Sequence, residues 1–193
     1  MRLRFQHNYS ISSDEELMLF IVKGKEEAFN EMYKRYSKKM LYFFYSKLYQ
    51  DQEKANDFLQ SLFLKIIEQT EKFDASQKFS TWIYTLAYNM CKNEYRKGKN
   101  LKKFQEEYSL NTIESVVINP NQHDLDYFNM QLTLHLNNLG KNHKETFILK
   151  YQQELSIKEI SLIMNCAEGT VKSRLFYVTK TLAEKLKEFN TYF

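Results

Sequence analysis

Leu155-Ser156-Ile157-Lys158-Glu159-Ile160-Ser161-Leu162-Ile163-Met164-Asn165-Cys166-Ala167-Glu168-Gly169-Thr170-Val171-Lys172-Ser173-Arg174-Leu175 is the stretch whose reading decides the fold. Ser156-Ile157-Lys158-Glu159 is a capping box, with Ser156 as N-cap and Glu159 at the third helical position, and it predicts a short helix through Ile160, Ile163 and Met164. Asn165 can take the left-handed conformation that ends such a helix. After a tight connection a second amphipathic helix is expected from about Glu168, with Val171, Leu175, Val178 and Leu182 inward. Its outer face carries Thr170, Ser173, Arg174 and Tyr177, with Lys172 and Phe176 on the flanks. Two helices joined this closely fit a helix-turn-helix whose second helix enters the major groove; an ordinary αα-corner is the plainer alternative.

Outward from that motif the whole chain reads as all-α. One proline and four glycines in 193 residues leave too few turn residues for a sandwich or barrel, while 43% hydrophobic side chains suffice for packed cores. No repeat or low-complexity tract is visible. Cys91 and Cys166 lie far apart with no CxxC pair, so neither a disulfide framework nor a thiolate zinc site is supported, and both read as reduced cytosolic thiols. Arg2 and Arg4 have no signal-peptide core behind them, and Leu17 to Val22 falls far short of the roughly 20 apolar residues that span a bilayer, so a cytoplasmic protein without membrane insertion is expected.

The net charge of +4 hides an uneven distribution. Residues 1–99 hold 17 basic and 13 acidic side chains, residues 100–128 hold 2 and 5, and residues 129–193 hold 9 and 6. The acidic middle stretch contains the only proline, in Asn119-Pro120-Asn121-Gln122, and reads as a linker between two helical domains. Just before it, Asn89 to Lys103 sets Lys92, Arg96, Lys97, Lys99, Lys102 and Lys103 against Glu94 alone.

Two further helices are expected in the first domain. From Asn56 to Glu68, Phe58, Leu59, Leu62, Phe63, Ile66 and Ile67 form a wide apolar stripe, while Asp57, Gln60, Ser61, Leu64 and Glu68 form the opposite face with one leucine out of place. A second helix should start at Ser80 or Thr81, burying Ile83, Leu86, Ala87 and Met90. Its other face, Thr85, Tyr88, Asn89, Lys92, Tyr95, Arg96 and Lys99, suits either nucleic acid or a solvated basic helix end. Between the two lies the polar loop Phe73-Asp74-Ala75-Ser76-Gln77-Lys78-Phe79; it could accept an extruded base, with Phe73, Phe79 and Trp82 as packing anchors.

Together these segments resemble a bacterial sigma factor of the extracytoplasmic-function (ECF) group, within the sigma-seventy family. Glu27-Ala28-Phe29 with Tyr33 and Tyr36, Ala55 to Phe63, Phe79 to Tyr84 and Ala87-Tyr88-Asn89 are similar to region two, and Leu155 to Ile160 with Gly169 to Leu175 to region four. The resemblance implies an N-terminal extension over residues 1–12, a region-two-like helical bundle over 13–99, an acidic linker over 100–128 and a region-four-like helix-turn-helix domain over 129–193. It implies that Asp57, Gln60, Ser61 and Leu64 dock on core RNA polymerase. The minus-ten element would be met by Asp74, Ser76, Gln77 and Lys78 of the loop and by Asn89, Lys92, Asn93 and Arg96, and the minus-thirty-five element by Thr170, Lys172, Ser173, Arg174 and Tyr177. Promoter DNA, RNA polymerase core and an anti-sigma factor are the implied partners. Tyr177 and Thr179 stand where the family often has Arg, Ala167 where a Ser-type cap is usual, and Leu139-Gly140 where Leu-Pro is common.

No catalytic constellation or cofactor motif is found, and His7, His123, His135 and His143 show no paired-ligand spacing, so no metal site and no enzyme are expected. A stand-alone helix-turn-helix regulator with a helical sensor or dimerisation domain remains an alternative, as does a helical adaptor that never touches DNA.

Overall fold

The computed structural model describes residues 7–48, 51–102, 123–187 and 189, with side chains of 98–102 and 123–126 left aside. The chain divides into two compact units, Met1–Gln105 and Glu106–Phe193. Most of the stretch read as the acidic linker, including Asn119-Pro120-Asn121-Gln122, lies outside the described residues, as do Lys103, the side chains of Lys99 and Lys102, and residues 1–6 of the N-terminal extension.

The first unit has four helices: α1 (Asp14–Val22), α2 (Glu26–Lys47), α3 (Gln52–Glu68) and α4 (Phe79–Lys102). Ser13 opens α1 with a capping box closed by Glu16, and Asp51 opens α3 by accepting from the Lys54 N–H at 3.0 Å. Leu17, Met18, Met32, Met40, Phe43, Phe44, Leu62, Ile66, Phe79 and Ile83 are fully buried between these helices. A polar clasp holds the N-terminal segment onto α2. Arg35 donates to the Asp14 carboxylate at 2.8 Å, to Glu31 at 2.9 Å and to the carbonyls of Ser12, Ser10 and Tyr9, while the Tyr36 hydroxyl donates to the other Asp14 oxygen at 2.5 Å. Burial and the Asp14 charge both push the Tyr36 phenol far above its ordinary pKa, so it stays a donor at all working pH.

Two expectations need correction. The basic helix begins one residue before Ser80, at Phe79, because the Glu15 carboxylate on α1 accepts the Phe79 N–H at 2.9 Å and so satisfies a first-turn donor from a distant element. Ile67, expected in the buried stripe of α3, is 50% exposed and lies one turn beyond Leu64. Seven apolar residues from Phe58 to Ile67 are more than one helix face can bury.

The second unit contains α5 (His123–Asn137), α6 (Lys141–Phe147) continued by a π-helical turn (Ile148–Gln152), α7 (Ile157–Met164) and α8 (Glu168–Lys185). Leu136, Val178, Leu182, Leu186 and Phe189 form a buried cluster, with Phe128, Leu132, Leu139 and Phe147 packed on it. Helix thus occupies both margins of the stretch read as linker, to Lys102 on one side and from His123 on the other.

Candidate nucleic-acid and polymerase interfaces

α7 and α8 form the helix-turn-helix. In the capping box the Glu159 N–H reaches Ser156 Oγ at 3.2 Å and the Ser156 N–H reaches Glu159 Oε2 at 2.8 Å. Asn165 ends α7 at φ 50°, the left-handed conformation an Asn side chain tolerates, and the Cys166 N–H returns to the Ser161 carbonyl at 3.0 Å. α8 starts at Glu168 behind Ala167, which offers no side-chain cap. Ile160, Ile163, Val171, Leu175 and Val178 are buried, which fixes the rotation of α8 about its axis. That rotation leaves Lys172, Ser173, Phe176 and Tyr177 exposed and Thr170 and Arg174 half-buried. The Arg174 guanidinium rests 3.7 Å from Cys166 Sγ, leaving its other donors for an outside acceptor. Of the five residues expected to read the minus-thirty-five element, Thr170, Ser173, Arg174 and Tyr177 therefore follow one side of α8, Ser173 and Tyr177 exposed and Thr170 and Arg174 half-buried, while Lys172 is exposed on the flank.

In the first unit the loop between α3 and α4 is held at its root by aromatic rings. Phe73, Phe79 and Trp82 pack in a triangle with centroids 5.3–5.9 Å apart. Above it Asp74 Oδ1 accepts the Ser76 N–H at 2.9 Å and Oδ2 accepts from Gln77 at 3.3 Å, an Asx-type turn. The backbone bond from Ser76 holds the Asp74 carboxyl below the usual carboxylate range. Asp74, Ser76, Gln77 and Lys78 all point outward.

Along α4 the candidate stripe divides. Asn89, Lys92, Asn93 and Arg96 are exposed. Tyr88 and Tyr95 turn back to α2: the Lys47 ammonium sits 5.6 Å from both the Tyr88 and Phe43 ring centroids, and the Tyr95 hydroxyl donates to the Lys47 carbonyl. Glu94 pairs with Lys54 of α3 at 2.7 Å. Periodicity places Tyr88 and Tyr95 on the basic face but does not register that α2 ends beside them.

On α3, Asp57, Gln60, Ser61 and Leu64 are exposed together, Leu64 at 59%. Ile67 joins Leu64 in an apolar ridge that pattern reading missed; the excess of apolar residues on this helix was the signal available. Among the described residues no group of three or more His, Cys, Asp and Glu side chains could hold a metal ion, and no helix is long and apolar enough to cross a membrane.

Residues 32–100 match the family model for Sigma-70 region 2, and residues 130–177 match that for Sigma-70 region 4. Among curated proteins the chain is similar to the ECF RNA polymerase sigma-E factor of Haemophilus influenzae, 26% identical over 186 residues that cover 91% of this chain and 96% of that protein. It is similar also to the ECF RNA polymerase sigma factor SigW of Bacillus subtilis, 28% identical over 177 residues covering 87% and 94% of the two chains. Among solved structures, the sigma factor RpoE of Bartonella quintana, crystallised with the anti-sigma factor NepR, superposes with a TM-score of 0.66 at 26% identity over 82% of this chain and 96% of that one.

Proposed function

The chain belongs to the sigma-70 family, in its ECF group, and from that premise we propose how its two units divide the work of a promoter-specificity subunit. The protein binds core RNA polymerase, recognises promoter DNA and assists its melting at initiation. The observation that carries this reading is the order of the two matched regions in one chain, with region 2 on the first unit and region 4 on the helix-turn-helix.

Docking on core falls to the α3 face. Asp57, Gln60 and Ser61 supply hydrogen-bonding groups beside the exposed apolar pair Leu64 and Ile67, and an apolar patch rimmed by polar side chains is the composition of a protein–protein contact. The loop from Asp74 to Lys78 takes an extruded base of the minus-ten element, reading its edge with side chains that the Asx turn already orients. Capture of that base lowers the cost of opening the duplex when sequence and loop match. Asn89, Lys92, Asn93 and Arg96 hold the adjoining strand through phosphates and base edges. Thr170, Lys172, Ser173, Arg174 and Tyr177 bind the minus-thirty-five element in the major groove.

The polymerase core supplies the chemistry and this subunit is not an enzyme. It acts in the cytoplasm, and an anti-sigma factor is its expected regulator, a reading supported by the Bartonella relative having been crystallised with one. The test is assembly with purified core followed by run-off transcription. Native chain should form a stoichiometric complex, and Leu64→Asp should weaken it at least tenfold with helicity and melting temperature unchanged. Loss of helicity in that variant would show Leu64 to be core, and tight binding of duplex DNA without polymerase would favour a stand-alone regulator.

A further inference from the structure

Tyr177 is 52% exposed on the outer side of α8, one turn beyond Ser173 and Arg174, and its ring does not stand alone. The imidazole of His143, the third residue of α6, lies against it with ring centroids 4.8 Å apart and planes inclined by 47°. α6 is not part of the helix-turn-helix, and nothing in the assignment of the minus-thirty-five face includes it. Residue 140, just ahead of α6, lies beside the same imidazole: a Cβ built on Gly140 would stand 3.4 Å from His143 Nδ1, an ordinary contact.

We propose that His143 is a positioning residue for promoter reading, which fixes the Tyr177 ring on the recognition helix so that its hydroxyl and ring edge meet the minus-thirty-five element in one orientation. The proposal rests on the assignment of α8 as the minus-thirty-five reader. An exposed tyrosine otherwise samples several χ1 and χ2 states, and a side chain that must be ordered on binding loses affinity and discrimination to that ordering. An inclined ring pair holds the phenol before DNA arrives. The neighbouring aromatic residue makes the contrast: Phe176 is 70% exposed, and no ring of the described residues packs on it.

Such a pair is worth about a two- to tenfold change in affinity. The experiment uses holoenzyme assembled from core and full-length chain, selecting templates from a library randomised across the minus-thirty-five region, with His143→Ala, His143→Phe, Tyr177→Ala and the double variant compared with native chain. Tyr177→Ala should flatten the preference at the one or two base pairs its ring reaches. His143→Ala should flatten the same base pairs and no others, with about two- to tenfold weaker binding of the selected site. His143→Phe should restore both, because it keeps the ring and discards the nitrogens. The double variant should lose no more than Tyr177→Ala alone.

If His143→Ala weakens all sequences equally and His143→Phe fails to rescue, the imidazole contacts phosphate directly and the proposal is wrong. If His143→Ala unfolds the second unit, the His143→Phe profile decides: a preference equal to native supports positioning by the ring, and one flattened away from the Tyr177 positions overturns it. If Tyr177→Ala leaves every position unchanged although native holoenzyme selects a minus-thirty-five sequence, Tyr177 is not a reader and the proposal falls alone. If native holoenzyme selects no such sequence, the assignment of α8 falls and the proposal with it.

Discussion

The outward faces of α4 and α8 carry the same mixture of Tyr, Lys, Arg and small polar side chains, yet the two helices spend their aromatic residues differently. On α4, Tyr88 takes the Lys47 ammonium on its ring and Tyr95 binds the Lys47 carbonyl, so both belong to the packing of the first unit. On α8, Tyr177 stays half in solvent, with the His143 ring of its own unit packed on it. The reason is neighbourhood: the end of α2 lies against Tyr88 and Tyr95 of α4, whereas Tyr177 of α8 meets the His143 side chain of α6 and stays half exposed. Spacing that interleaves aromatic with basic residues does not by itself separate a ring left at the surface from one that a neighbouring helix takes into its packing.

Substitutions should separate the two cases. The largest effect is expected for Tyr88→Ala, which strips a half-buried ring from between α2 and α4 and should lower unfolding free energy by about 3 kcal/mol in denaturant titration. A stability unchanged within error, with weakened DNA binding, would return Tyr88 to the DNA face and erase the contrast. Arg174→Ala should do the opposite, leaving stability nearly unchanged while weakening the minus-thirty-five complex by about 2 kcal/mol with altered sequence preference. Weakening spread evenly over all sequences would reduce Arg174 to a phosphate contact.

The smallest effect sharpens the comparison within the first unit. The Asp74 carboxyl has a lowered folded-state pKa, so the turn stabilisation it gives is present above the ordinary carboxylate range and is lost as pH falls through the lowered value. Minus-ten loop contacts should therefore weaken at strongly acid pH and hold near neutrality. A loop signal in NMR that titrates at the ordinary carboxylate pKa would mean the Asx turn is not formed in solution.

Much of this was legible in the chain itself, and the residues show why. The Ser156–Glu159 capping box, Asn165 and the spacing Val171, Leu175, Val178 specify the helix-turn-helix because every signal is local, within one or two turns of the residue it governs. The exposed Leu64 face was visible for the same reason. The start of α4 was not, because its cap is the Glu15 carboxylate, 64 residues away. The inward turn of Tyr88 and Tyr95 escaped detection likewise, since it depends on where α2 ends. The His143–Tyr177 pair joins residues 34 apart that neither periodicity nor motif connects.

Opposed small charges along the chain give the whole molecule its modest +4, with the net acidic residues 100–128 between the net basic stretches 1–99 and 129–193. A subunit with weak general attraction for phosphate should hold a promoter firmly only when core polymerase presents both units to DNA together. Transcription by core plus native chain, on templates where the minus-ten and minus-thirty-five elements are kept but the spacing between them is lengthened by half a helical turn, tests this most directly. Loss of initiation on the altered spacing, with neither element sufficient alone, is the expected result. Equal initiation at every spacing, or tight binding of the isolated chain to either element without polymerase, would contradict it.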